Sequence, residues 1–164
     1  STFKIIHRKS IRMQLDHIDK KLLMLLQSDS KKTTKAYANE LGLSNTAAYE
    51  RIRRLEKKGV IEKYVTLLNK SHIDKAFVVF CHVKLVQHIK EFVRQFEREV
   101  LQLEEVIECY HISGDYDYLL KICVKDMEAY RDFMVGKLTA LNNIGSTHSS
   151  FAIKEVKYST AIQL

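Results

Sequence analysis

Proline and tryptophan are absent from this 164-residue chain, and glycine occurs only five times. Without proline, every break between elements must come from a glycine or a polar cap. Long apolar runs are also missing: no stretch approaches the roughly 18 residues that would read as a membrane-spanning helix. The N-terminus is basic but lacks the apolar core of a signal peptide. Cysteine is sparse. Cys81, Cys109 and Cys123 make an odd number without paired spacing, which argues against a disulfide framework and for a reducing cytoplasm. No glycine-rich phosphate loop and no nucleophile elbow occurs. No catalytic residue, cofactor or metal site is therefore assigned, and the cysteines read as small buried hydrophobes.

What is present is uneven charge. Residues 1–64 hold 15 Lys/Arg against 7 Asp/Glu, a net of +8, whereas residues 65–164 hold 12 against 13, a net of −1. A basic first third joined to a near-neutral remainder suggests a polyanion-binding module followed by something else.

The basic third reads as three helices. LDHIDKKLLMLLQSDS begins at Asp16 as N-cap, has Asp19 in its first turn, and places Ile18, Leu22, Leu25 and Leu26 on one face. KKTTKAYANELGLS gives a short second helix capped by Thr34 and closed at Gly42. SNTAAYERIRRLEKKGVI gives a third, capped by Ser44 and closed at Gly59, with Ala48, Ile52 and Leu55 inward. Two helices, a glycine-containing turn and a basic third helix form a helix-turn-helix pattern. The DNA-binding set is Ser44, Asn45, Thr46 and Tyr49 at the start of that helix, with Arg51, Arg53, Arg54 and Lys57 beyond. Asn and Arg suit bidentate contacts to base edges, and the remaining cations suit phosphates. Glu50 and Glu56 are placed to pair with Arg53, Arg54 or Lys57. The bland alternative is a helical bundle with a solvated charged face. VIEKYVTLLNK then reads as a strand or connecting segment.

The remainder reads strand, helix, strand, strand, helix, strand. AFVVFCHVKLV is apolar on both faces at one end, with Phe77, Val79, Cys81, Val83 and Leu85 on one side and Val78 and Phe80 on the other. HIKEFVRQFEREVLQL is an amphipathic helix. EVIECYHI and YLLKICV flank SGDYD, where Gly-Asp signals a two-residue hairpin turn. DMEAYRDFMVGKLTAL, capped by Asp126, turns Met127, Tyr130, Met134, Leu138 and Leu141 inward, and THSSFAIKEVKYS is the last strand. This order is the βαββαβ, ferredoxin-like plan. The fold class is thus α+β, with a basic extension over 1–14, a helix-turn-helix domain over 15–64, a connection over 65–75 and a ferredoxin-like domain over 76–164. One sheet face is left for something to cover, and a homodimer, sheet against sheet, is the economical answer.

Four segments in this order, LDHIDKKLLMLLQSDS, LGLSNTAAYERIRRLEKKGVIEKY, VIECYHISGDYDYLLKICVKDMEAYRDF and THSSFAIKEVK, resemble the Lrp/AsnC (feast/famine) family of prokaryotic transcription regulators. The resemblance spans about Leu15 to Lys157. It implies a winged-helix-like DNA-binding domain, a ferredoxin-like domain for ligand binding and oligomerisation, dimers assembling to octamers or similar rings, and control by an amino acid or related effector. It sites that effector between subunits, around Ser113, Gly114, Asp115, Tyr116, Asp117 and Tyr118. Asp115 or Asp117 would accept from the ammonium, and backbone N–H groups near Gly114 with the Thr147 and Ser149 hydroxyls would hold the carboxylate. Tyr116 or Tyr118 would border the side-chain pocket. From spacing alone the same loop reads as a plain tight hairpin. His148 stands where relatives commonly carry an acid. Two alternatives stay open: a sirohaem-decarboxylase-like enzyme, which resembles the same family and would use His82, His111 and His148, and an amino-acid-binding partner without DNA binding.

Overall fold

The computed structural model describes residues 14–164; the basic extension expected over 1–14 lies outside them except for Gln14. The chain forms two units. One runs through Thr66 and also takes in Lys157–Leu164, and the other is Leu67–Val156.

In the first unit, α1 (His17–Ser28), α2 (Thr34–Leu41) and α3 (Asn45–Lys57) follow one another with short turns. Each start is capped. The Asp16 carboxylate accepts from the Asp19 N–H while Asp19 reaches back to Asp16, a full capping box. Thr33 rather than Thr34 caps α2, with its hydroxyl accepting from Ala36. Ser44 caps α3 through Ala47. Each such cap contributes about 1 kcal/mol. Gly42 (φ 65°) ends α2 in the left-handed region, which only glycine enters without strain. Leu22, Leu23, Tyr37 and Leu55 form the core, with Leu25, Leu26, Leu41 and Ile52 packed against it. Buried Ala38 and Ala48 give α2 and α3 room to approach. Residues 60–69 form no strand; Tyr64, Val65, Leu67 and Leu68 stand exposed along them.

The second unit is a four-stranded sheet in the order β2-β3-β1-β4, built from β1 (Phe77–Leu85), β2 (Val106–His111), β3 (Tyr118–Val124) and β4 (Ile144–Phe151). Every pairing is antiparallel. The helices α4 (Lys90–Val100) and α5 (Met127–Phe133) cover one face. Val79, Cys81, Val83, Leu120 and Ile122 pack there against Phe96, Val100, Tyr130, Phe133 and Leu138. The βαββαβ plan read from the sequence is the one observed.

Three details differ from expectation. The last strand begins at Ile144 and ends at Phe151, so AIKEVKYS lies outside it. The second helix of this unit widens into a π turn over Met134–Leu138. There the Thr139 backbone N–H and hydroxyl both donate to the Met134 carbonyl, which favours the wider turn. Met127, expected inward, is half exposed at the first helical position.

Phe96 is fully buried and packs its ring 4.7 Å from that of Tyr118. Phe96→Ala is expected to cost about 4 kcal/mol, read as a lower urea midpoint with an unchanged m-value.

Candidate nucleic-acid interface and loop site

Asp19 lies on the inward stripe of α1 with only 1 % of its surface exposed. A carboxylate there requires cations, and α3 supplies two. Arg51 donates 2.7 Å bonds to both Asp16 and Asp19. Arg54 grips both Asp19 oxygens at 2.6 and 2.8 Å. The Asp19 and Arg51 N–H groups together hold the Asp16 carboxyl below the usual range. Arg51, expected at DNA, is thus a clamp between helices with 24 % of its side chain exposed. Arg54 does the same while remaining half exposed.

The rest of the expected set faces solvent. Asn45, Thr46, Tyr49, Arg53 and Lys57 are all exposed. Arg53 is 65 % exposed and only loosely paired, 3.6 Å from Glu56. Ser44 is exposed, but its hydroxyl is engaged as the cap. Sequence reading missed the clamp, yet Asp19 beside Leu22 and Leu23 in an apolar stripe was the signal.

The loop between β2 and β3 is longer than a two-residue turn. Ile112 donates to the Asp117 carbonyl, leaving Ser113–Tyr116 as a four-residue tip with Gly114 at φ 109°. Asp117 explains the length, because its carboxylate is drawn to the end of β1. There it accepts from Leu85 N–H at 2.7 Å and meets His88 Nε2 at 2.9 Å. Partial burial pushes the Asp117 carboxyl up, but the Leu85 N–H and His88 outweigh it and hold it below the usual range. Asp115 is exposed at the tip, with no hydrogen bond among the described residues.

The alternation of strand side chains divides the remaining residues between faces. Tyr118, Thr147 and Ser149 lie in the rows of Val83 and Cys81, facing the helices. Tyr118 is buried and donates to Glu97 at 2.8 Å; desolvation and Glu97 raise its pKa. Ser149 shares a 2.5 Å hydrogen bond with Tyr130. Tyr116 turns to the opposite face, its ring 5.1 Å from His82 and 6.3 Å from His148. His82 Nδ1 is buried there without a partner among the described residues. His111 instead stacks on Tyr118 on the helix side, so the three histidines do not converge. No cluster of three or more His, Cys, Asp or Glu able to hold a metal occurs among the described residues.

The winged helix-turn-helix DNA-binding family matches residues 15–62, and the Lrp/AsnC ligand-binding domain matches residues 78–162. The leucine-responsive regulatory proteins of Escherichia coli K12 and Salmonella typhimurium are each 38 % identical over 148 residues, 90 % of either chain. The chain belongs to the Lrp/AsnC family. It is a transcription regulator of that family, pairing a helix-turn-helix DNA-binding module with a ligand-binding module. An AsnC-family regulator from Agrobacterium tumefaciens superposes with a TM-score of 0.87 at 34 % identity, covering 90 % of this chain and 96 % of the other. A Neisseria meningitidis regulator solved as an L-Met complex gives 0.87 at 28 % identity, covering 91 % and 96 %. No helix among the described residues is long and apolar enough to cross a membrane.

Two outcomes follow from the ion pairs. Asp19→Ala leaves two arginines facing a half-apolar site and is expected to cost about 3 kcal/mol, measured by urea denaturation. Asp117 has a folded-state pKa below its ordinary 3.8, so its stabilisation is present above that value and lost as pH falls through the lower one. Asp117→Asn should therefore cost about 1 kcal/mol at pH 7 and progressively less below about pH 4. Melting temperatures of both proteins from pH 3 to 7 test this.

Proposed function

We propose that this regulator binds DNA in a sequence-specific manner through the outer face of α3, as a homodimer whose DNA affinity or assembly responds to an amino acid or a close relative of one. The observation that carries the DNA reading is a division of labour on one helix. Arg51 and Arg54 fix α3 to α1, while Asn45, Thr46, Tyr49, Arg53 and Lys57 stay exposed on it. The N-terminal side chains of such a helix reach base edges in the major groove, and its later cations meet phosphates. Arg53 is the base reader in this scheme and Lys57 the phosphate contact, with Arg51 acting as a positioning residue.

Dimer formation is supported by the sheet face that no helix covers. Phe80, Tyr110 and the bulged Ile107 are exposed there, which suits a second copy packed sheet against sheet. A dimer would set two copies of α3 about one helical turn apart on a pseudo-palindrome. Further assembly of dimers to octamers or similar rings follows the family.

For the effector, Asp115 is the better acceptor for an ammonium. Its carboxylate is free among the described residues, whereas that of Asp117 is engaged. The resemblance to a relative solved with L-Met supports the class of ligand. Tyr118, Thr147 and Ser149 face the helices, so they contribute by supporting the loop and sheet rather than by lining its exposed tip.

Arg53→Ala is expected to weaken binding by about 1–3 kcal/mol and relax base preference at one position of each half-site. Lys57→Ala should weaken all sequences alike and lower the salt slope by about one. Anisotropy titrations on duplexes selected by the wild type, over a salt series, decide this. Asp115→Ala should abolish the thermal shift given by any amino acid that stabilises the wild type, with Asp117→Asn retaining it. The reverse pattern moves the site to Asp117.

A further inference from the structure

The last residues of the sequence return to the DNA-binding unit. Gln27, on the final turn of α1, pairs its side-chain amide with the backbone of Ile162 in both directions. Its Nε2 donates to the Ile162 carbonyl at 2.9 Å, and its Oε1 accepts from the Ile162 N–H at 2.7 Å. Two complementary bonds from one amide to one residue fix both the direction and the register of the bound segment, as a strand partner would. Two residues on, Leu164, itself half exposed, borders a groove of about 410 Å³ lined also by His17, Lys21, Met24, Glu40 and Leu41. Ser159 adds a turn inside the segment, its hydroxyl accepting from the Ala161 N–H.

Where this contact falls on α1 gives it meaning. Asp16, Asp19, Leu22 and Leu23 face the core and α3. At 3.6 residues per turn, His17, Lys21 and Met24 lie on the opposite side. Thus the Asp19 clamp fixes the recognition helix to one face of α1, and residues 160–164 run from Gln27, at the flank of that face, to the groove beside His17, Lys21 and Met24. Only Lys157, Tyr158 and Ser159 separate the segment from Val156, the last residue of the ligand-binding unit. The chain therefore joins its two units twice, once near Thr66 and once near Lys157.

We propose that residues 160–164 are a strap on α1 that regulates DNA binding: seated, it restrains α1 and through the Asp19 clamp sets the position of α3. The functional half of this inference rests on the DNA-binding reading above. The recognition element is chemical: an amide that pairs with one backbone residue, beside a groove of mixed polar and apolar lining that one leucine borders.

The test uses the full chain in four forms: wild type, Gln27→Ala, a form lacking residues 160–164, and the combination. Hydrogen exchange at the Ile162 amide reports seating without DNA. Anisotropy with a labelled duplex selected by the wild type from a random pool reports binding. Ile162 should exchange at least about tenfold more slowly in the wild type than in Gln27→Ala. Both single changes should weaken DNA binding by about three- to tenfold, and the combination should be no weaker than either, because both remove the same contact. Free exchange at Ile162 in the wild type overturns the strap. Loss of protection with unchanged DNA affinity, or strictly additive losses, overturns its regulatory role. A wild type that shows Ile162 protection yet selects no duplex overturns the regulatory role by removing the DNA reading itself. That result differs from a failed strap, in which DNA is selected and Ile162 exchanges freely.

Discussion

The carboxylate of Asp19, buried between Arg51 and Arg54, decides the geometry of the DNA-binding unit. The leucines and alanines that make up its small core drive helices together, but their attraction has no direction and tolerates sliding. A carboxylate out of water tolerates none. Desolvating it costs several kcal/mol unless cations and hydrogen bonds replace the lost water. Here three guanidinium bonds and a cap partner do so, and they form at one setting of α1 against α3 only. The pair of helices is thereby held at a defined rotation, and the outer face of α3 inherits it. The same arrangement lowers the charge α3 offers to a polyanion. Of its arginines, Arg53 alone is largely free of the clamp.

The second unit depends on a different constraint, the alternation of strand side chains. Because β1 lies between β3 and β4, one row across the sheet carries Val83, Tyr118 and Thr147, and the adjacent row carries His82, Leu119 and His148. The first row packs under α4 and α5, and the second faces away. Tyr118, in the first row, is a core ring bonded to Glu97, whereas Tyr116, in the loop before β3, is a partner of two histidines on the uncovered face.

Sequence periodicity carried the order of elements, the helix starts at Asp16, Ser44 and Asp126, and the left-handed stop at Gly42, since each depends on residues close in the chain. It failed where distant residues compete. Arg51 and Arg54 look like DNA contacts until Asp19, 32 and 35 positions away, claims them. Gly-Asp looks like a two-residue turn until the Leu85 N–H, 32 positions from Asp117, draws the loop longer. The hydroxyl of Ser149 looks free until strand register turns it toward the helices, where it meets Tyr130. The approach of residues 160–164 to Gln27 spans 135 positions and left no local trace.

The two aspartates of the loop illustrate what an effector must do energetically. A ligand shifts an equilibrium only by the difference in its affinity for the two states. An ammonium taken up by Asp117 would first have to displace the Leu85 N–H and His88, losing charge-assisted bonds worth about 1.5–3 kcal/mol in total stability terms. It would also loosen the end of β1. An ammonium taken up by Asp115 displaces only water and leaves the loop as it stands. The first route would spend part of the ligand's affinity on rearranging the loop, and the second would not. The free carboxylate at the tip and the restrained one at its base thus have different parts, with Asp117 holding the loop in shape.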